Sequence, residues 1–211
     1  MRHGSCAHRP PEANWPRGEQ NDPPLDERGR AQAIAVCRRL EQEPIGAVFV
    51  TTLRRTSETA APLLASTGRR AEAIADLREV IVGDWEHGEL LRRALADDPE
   101  YHAMMRAQRW DAIPGAEPAE RFGARVWRGL DAVAAGAETD TVAIAFTHSA
   151  VIAELLRQIT GSEPFAFLNV SNGSLTRVVR VPGGRWVLVS FNETAHLPSE
   201  SQPRARSRPA A

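Results

Sequence analysis

The stretch Thr141-Val142-Ala143-Ile144-Ala145-Phe146 constrains the fold more than any other part of the chain. A short run of apolar and β-branched side chains reads as a strand buried on both faces. It runs into His148. Val151, Ile152, Leu155, Leu156 and Ile159 then recur at the spacing of a helix with one apolar side. The same succession occurs earlier. Ala47-Val48-Phe49-Val50 lies between breakers and predicts a second buried parallel strand. The chain then turns through Thr51 to Arg55 into a helix with Thr56 as its cap, Glu58 in its first turn and Ala60, Leu63 and Leu64 inward. Strands alternating with helices indicate a layered α/β domain with helices on both sheet faces.

The rest of the chain fits that scheme. Asp26 is a good N-cap and Glu27 suits a first turn, so a helix opens there. Ala33, Val36, Cys37 and Leu40 form its apolar stripe, and Pro44 and Gly46 end it. Residues 71–77 predict a further strand leading to Glu79, and 86–110 an irregular helix with Pro99 in a first turn. After Pro114-Gly115, Phe122, Val126, Leu130 and Val133 mark a clearer helix. Two β-rich runs, 174–181 and 185–191, are joined by Pro182-Gly183-Gly184 and read as a hairpin. Residues 5–24 have the proline-rich composition of a long loop. The reading is one domain over 1–197, followed by a Ser/Pro/Arg-rich disordered tail over 198–211.

Composition narrows the partners. Net charge is −1, with 26 basic and 27 acidic side chains, which gives no electrostatic reason to expect nucleic acid or an anionic membrane. No apolar run approaches the ~20 residues of a membrane span, and residues 2–30 do not read as a signal peptide. Cys6 and Cys37 are too few for a disulfide framework, so the expected setting is reducing and cytoplasmic. No Cys/His cluster has metal spacing, and neither metal nor cofactor is expected.

In open α/β sheets, ligands bind beyond the carboxyl ends of the strands. The strand at 47–50 delivers Arg55 there and the strand at 142–146 delivers His148, each at a predicted helix start that favours an anion. Taken alone, His148 reads as a structural histidine and Arg54-Arg55 as a solvated helix start. Met1-Arg2-His3-Gly4 is a further phosphate-type cluster. Arg offers a fork of donors matched to phosphate oxygens, and neutral imidazole is a nucleophile. Glu79, Asp84 and Glu86 are candidate acids. For Trp15, Trp85, Trp110 and Trp127 packing is the default, and His8, Arg9 and His87 read as loop residues.

Five segments in order carry a resemblance: Arg2-His3-Gly4, Pro24 through Ala33, Leu53 through Ala60, Leu77-Arg78-Glu79 with Gly83-Asp84-Trp85-Glu86, and Phe146-Thr147-His148-Ser149. Together they resemble the histidine phosphatase superfamily, also called phosphoglycerate mutase-like. The resemblance implies a three-layer α/β/α sandwich with a mostly parallel sheet. It implies a cofactor-independent phosphatase acting on a small phosphomonoester, with His3 as nucleophile and Glu79 as general acid. Arg2, Gly4, Arg55 and His148 would hold the phosphate. Ser149 stands where the acid-phosphatase branch has Asp, which supports Glu79 as the acid. Arg9 stands where an Asn often contacts phosphate, and Thr51-Thr52 replaces the usual Ser-Pro. Such chains have an apolar strand running into Arg-His-Gly, so Met1 is expected to be an internal residue of that strand. The alternatives are a phosphoglycerate mutase, a phosphohistidine-protein phosphatase, or a truncated or non-catalytic phosphate-binding member. The short segment between Glu79 and the helix at 117 leaves little room for the larger insertion of mutases.

Overall fold

The computed structural model describes residues 1–6 and 20–198. The expectations for His8, Arg9 and Trp15, for the rest of the loop over 7–19 and for the tail over 199–211 lie outside the described residues.

The strand–helix succession is present as β1 (Ile45–Val50) into α2 (Arg54–Thr67), and β3 (Val142–Ala145) into α6 (Ser149–Thr160). With β2 (Ala71–Ala73) these strands form a parallel sheet in the order β2-β1-β3. Successive side chains on a strand point to opposite faces, and β1 shows it. Val48 and Val50 join Val36 and Leu40 of α1 (Glu27–Leu40) and Ala60 and Leu63 of α2. Phe49 faces the other way, towards Val126 and Val133 of α5 (Ala119–Ala135) and Val151 of α6. Both faces are therefore covered, and the strands read as continuous apolar runs for that reason.

Helix starts explain the local geometry. Asp26 caps α1 by accepting from the Gly29 amide at 2.6 Å. The expected Thr56 cap is not formed: Leu53 occupies the N-cap position of α2 and makes no side-chain bond. Instead Asp22, distant in sequence, accepts from the Arg54 amide at 2.8 Å. The Thr56 hydroxyl ties the turn after β1, accepting from the Thr51 amide and donating to the Leu53 carbonyl. The strand predicted over 71–77 stops at Ala73. The Ile74 amide reaches the carbonyl of Val50, the last residue of β1, so no partner remains beyond it. A 3₁₀ turn at Ala75–Leu77 then leads to Glu79. The irregular region 86–110 holds α3 (Glu89–Leu95) and α4 (Pro99–Ala107), with Pro99 in a first turn behind the Asp98 cap.

β4 (Leu175–Arg180) and β5 (Trp186–Glu193) form the predicted antiparallel hairpin, as a separate two-stranded sheet. Between β3 and β4 runs an apolar cleft of about 600 Å³, lined by residues including Leu40, Ile144, Leu156, Leu175 and Val178. The strand expected ahead of Arg2 would lie here. Met1, Arg2 and His3 occupy the end of the cleft, parallel to β3. The Thr147 amide donates to the Met1 carbonyl at 2.8 Å, the His3 amide to Thr147 at 3.0 Å, and the Arg2 amide to Ser174 at 3.2 Å. The Met1 amine donates to the Ala145 carbonyl at 2.7 Å. Burial lowers its pKa to about 5, so it is largely neutral at pH 7.

Candidate active site

His3 is buried where the first segment leaves the end of β3. Its Nδ1 lies 2.6 Å from the Gly4 carbonyl. A carbonyl oxygen only accepts, so Nδ1 carries the hydrogen and Nε2 keeps its lone pair. The segment behind it is fixed by close backbone packing. A Cβ on Gly4 would stand 2.7 Å from the Gly29 carbonyl oxygen at the start of α1, so only glycine fits. The Gly4 amide, a candidate phosphate contact, donates to Thr59 Oγ1 at 2.9 Å. Asn172 Nδ2 donates to the His3 and Gly4 carbonyls. Cys6 Sγ is 3.5 Å from His3 Nδ1, but burial raises its pKa to about 11 and keeps it a thiol.

His148, at the start of α6, is fully buried, and its ring centroid is 5.1 Å from that of His3. Its Nε2 is 3.0 Å from Thr51 Oγ1, while its Nδ1 is buried with no hydrogen-bond partner. Arg2 bonds the Val170 carbonyl through Nη1, and its Nε is likewise buried and unpartnered. Arg55, at the start of α2, is 7% exposed and donates to the Asn21 carbonyl at 2.8 Å, with Asp22 at 3.4 Å. Burial, and then the nearby Arg55 and Arg2 charges, hold the His3 pKa well below its usual value. His148 is lowered in the same direction by burial, then by His3 and the two arginines. Both imidazoles are neutral at pH 7.

Glu79 sits at the rim of this group. Its Oε2 lies 3.4 Å from Ser149 Oγ, and its Oε1 accepts from the Val80 amide. The rival acids are placed differently. Glu86 spends its oxygens on the Val82 and Asn21 amides, and burial raises its pKa. Asp84 is exposed. Trp85 packs in the core under Arg93, and Trp110 packs against Phe165. Among the described residues no group of three or more His, Cys, Asp or Glu is arranged to hold a metal ion.

Sequence reading missed the residues that brace the site. Gln20 Nε2 donates to the Glu79 and Val80 carbonyls. Half-buried Arg125 and buried Glu117 form an ion pair beside the same segment. Asn21 and Asp22 hold Arg55. Gln20, Asn21 and Asp22 meet partners more than thirty residues away, and Arg125 meets carbonyls more than forty away, so no local pattern marks them.

A family model described as histidine phosphatase superfamily (branch 1) matches residues 1–194. An Arabidopsis thaliana protein named metal-independent phosphoserine phosphatase is 31% identical over 182 residues, covering 83% of this chain and 73% of that protein. A mycobacterial glucosyl-3-phosphoglycerate phosphatase solved with VO3 superposes with a TM-score of 0.73 at 25% identity, over 90% of this chain and 96% of that one. A phosphoglycerate mutase from Bacillus anthracis superposes with a TM-score of 0.74 at 22% identity, over 93% of this chain and 92% of that one, which shows the shared fold.

Proposed function

The chain belongs to the histidine phosphatase superfamily, and from that premise we propose that it hydrolyses a small phosphomonoester through a phosphohistidine on His3. The observation that carries the reading is a pair of buried nitrogens, Arg2 Nε and His148 Nδ1, without partners among the described residues, beside a histidine whose Nε2 bonds none of those residues. Buried polar groups without partners are rare and call for a ligand or another stated reason. With the Thr51 hydroxyl donating to His148 Nε2, Nδ1 carries a hydrogen. It joins Arg2 and Arg55 as a donor to the equatorial phosphoryl oxygens, where charge gathers in the transition state.

The reaction has two steps. His3 Nε2 attacks phosphorus, the bond to the ester oxygen breaks, and protonated Glu79 gives its proton to the departing alkoxide. Glu79, now a carboxylate, takes a proton from water as that water attacks phosphorus and the N–P bond breaks. Phosphate leaves, and His3 and Glu79 return to their starting states. Gly4 contributes close backbone approach in this scheme, since its amide is held by Thr59. A mutase would use the same pocket and return the phosphoryl group to substrate. We favour hydrolysis because only two short α-helices, α3 and α4, and two 3₁₀ turns intervene between Glu79 and α5.

The test is a panel of phosphomonoesters, including O-phosphoserine and 3-phosphoglycerates, read by free phosphate. Phosphate release from at least one is expected; isomerised phosphoglycerate without phosphate release would replace hydrolysis by mutase action. Two further results are expected. Glu79→Gln slows poor-leaving-group substrates about 10²-fold or more and p-nitrophenyl phosphate far less, because a good leaving group needs little protonation. Equal slowing would remove Glu79 as the acid. Activity also survives a chelator, since protein cations supply the charge stabilisation; loss restored by a divalent ion would overturn that.

A further inference from the structure

One half-buried cation outside the phosphate-binding cluster turns three of its five donors on the main chain that carries Glu79. Arg125 lies on α5, with its side chain 12% exposed. Its Nε and Nη2 bind the two oxygens of Glu117 side-on, each at 2.7 Å. The remaining hydrogens reach three carbonyls of one short segment: Nη1 to Asp76 at 2.9 Å and Arg78 at 2.7 Å, and Nη2 to Glu79 at 3.1 Å. All five N–H donors of the guanidinium are thus engaged. Glu117 adds a fourth tie, its own amide donating to the Ile81 carbonyl at 2.9 Å.

This segment begins inside the 3₁₀ turn Ala75–Leu77 and runs on without regular structure, and among the described residues it has no strand partner. Three carbonyls turned towards one side would be costly to bury without donors. A planar cation locked by a bidentate carboxylate supplies them in a fixed geometry that a lysine cannot reproduce.

We propose that Arg125, oriented by Glu117, is a positioning residue that sets the place of the Glu79 carboxyl at the leaving oxygen. The inference rests on Glu79 being the general acid. Arg125 touches no reacting atom; it acts through the backbone of 76–79. Misplacement of a catalytic group by about 1 Å can cost on the order of 10²-fold.

The experiment compares Arg125→Lys and Glu117→Gln with the parent on an alkyl phosphate and on p-nitrophenyl phosphate. Each variant is expected to lose about 10- to 100-fold in kcat on the alkyl phosphate, and less than about threefold on the aryl ester, with KM held within about threefold. Combined with Glu79→Gln, each is expected to add almost nothing, because the acid it positions is already gone. Should Arg125→Lys lose cooperative melting, the isosteric Glu117→Gln gives the reading. Equal slowing on both substrates, or a full additional loss in the Glu79→Gln background, would overturn the proposal while leaving Glu79 as the acid. If Glu79→Gln itself shows no leaving-group selectivity, the acid assignment fails and this inference falls with it.

Discussion

His3→Ala is expected to abolish the trapped phosphoryl group and to lower turnover roughly 10⁴-fold or more, the scale seen when a catalytic nucleophile is removed. Nδ1 is committed to the Gly4 carbonyl, so Nε2 holds the nucleophilic lone pair. The neighbouring His148 is itself buried and bound through Nε2 to Thr51, so it is a poor substitute. Brief incubation with ³²P-labelled substrate and an alkaline quench should trap label that is acid-labile and base-stable, as a phosphoramidate is. Full label on His3→Ala, with an unchanged melting curve, would move the nucleophile elsewhere. The pH dependence follows from the same geometry. Burial and the two arginines lower the His3 pKa, so the ring remains neutral below the pH at which an exposed imidazole takes up its proton. In the free enzyme, protonation of His3 therefore places any acid limb in kcat/KM below about pH 6.5.

Adding about five apolar residues directly ahead of Met1 is expected to raise the melting temperature by roughly 5–10 °C. Among the described residues the facing edges of β3 and β4 have no strand partner along the cleft, and its walls are apolar. Met1 to His3 already run parallel to β3 at its end, so an extension enters in register. Each buried side chain contributes about 1.5–3 kcal/mol, and ordering each residue costs about 1–2 kcal/mol. Central values of the two terms leave a net gain on the order of 3 kcal/mol for five residues, and a chain of this size gains roughly 2–4 °C per kcal/mol. The new peptide bond also replaces the desolvated Met1 amine by an amide that still donates to Ala145. Thermal melts of the parent, of a Val/Ile-rich extension and of a Gly/Ser extension of equal length decide the matter. A gain confined to the apolar extension is expected. No gain, or an equal gain from Gly/Ser, would mean that the cleft does not accept a strand.

What the sequence by itself determined was local. The apolar runs at 45–50 and 142–145 became strands because a segment buried on both faces must be apolar throughout. Asp26 became a cap because its carboxylate reaches an amide three residues on. The strand–helix order alone sent Arg55 and His148 to one sheet edge, since parallel strands put all their carboxyl ends together. Arg2-His3-Gly4 could be added only through resemblance, because three residues have no periodicity to read. The tertiary structure decided the rest. It divided the sheet between β3 and β4, a matter of which edges find partners across the chain. It capped α2 with Asp22 in place of Thr56 and clamped Arg55 with the same residue. It turned Arg125 onto the carbonyls of 76–79, from a helix of which the sequence marked only the apolar stripe. Contacts of this kind join residues more than thirty positions apart, and a charged side chain shows in its own neighbourhood nothing of the distant carbonyls it will meet.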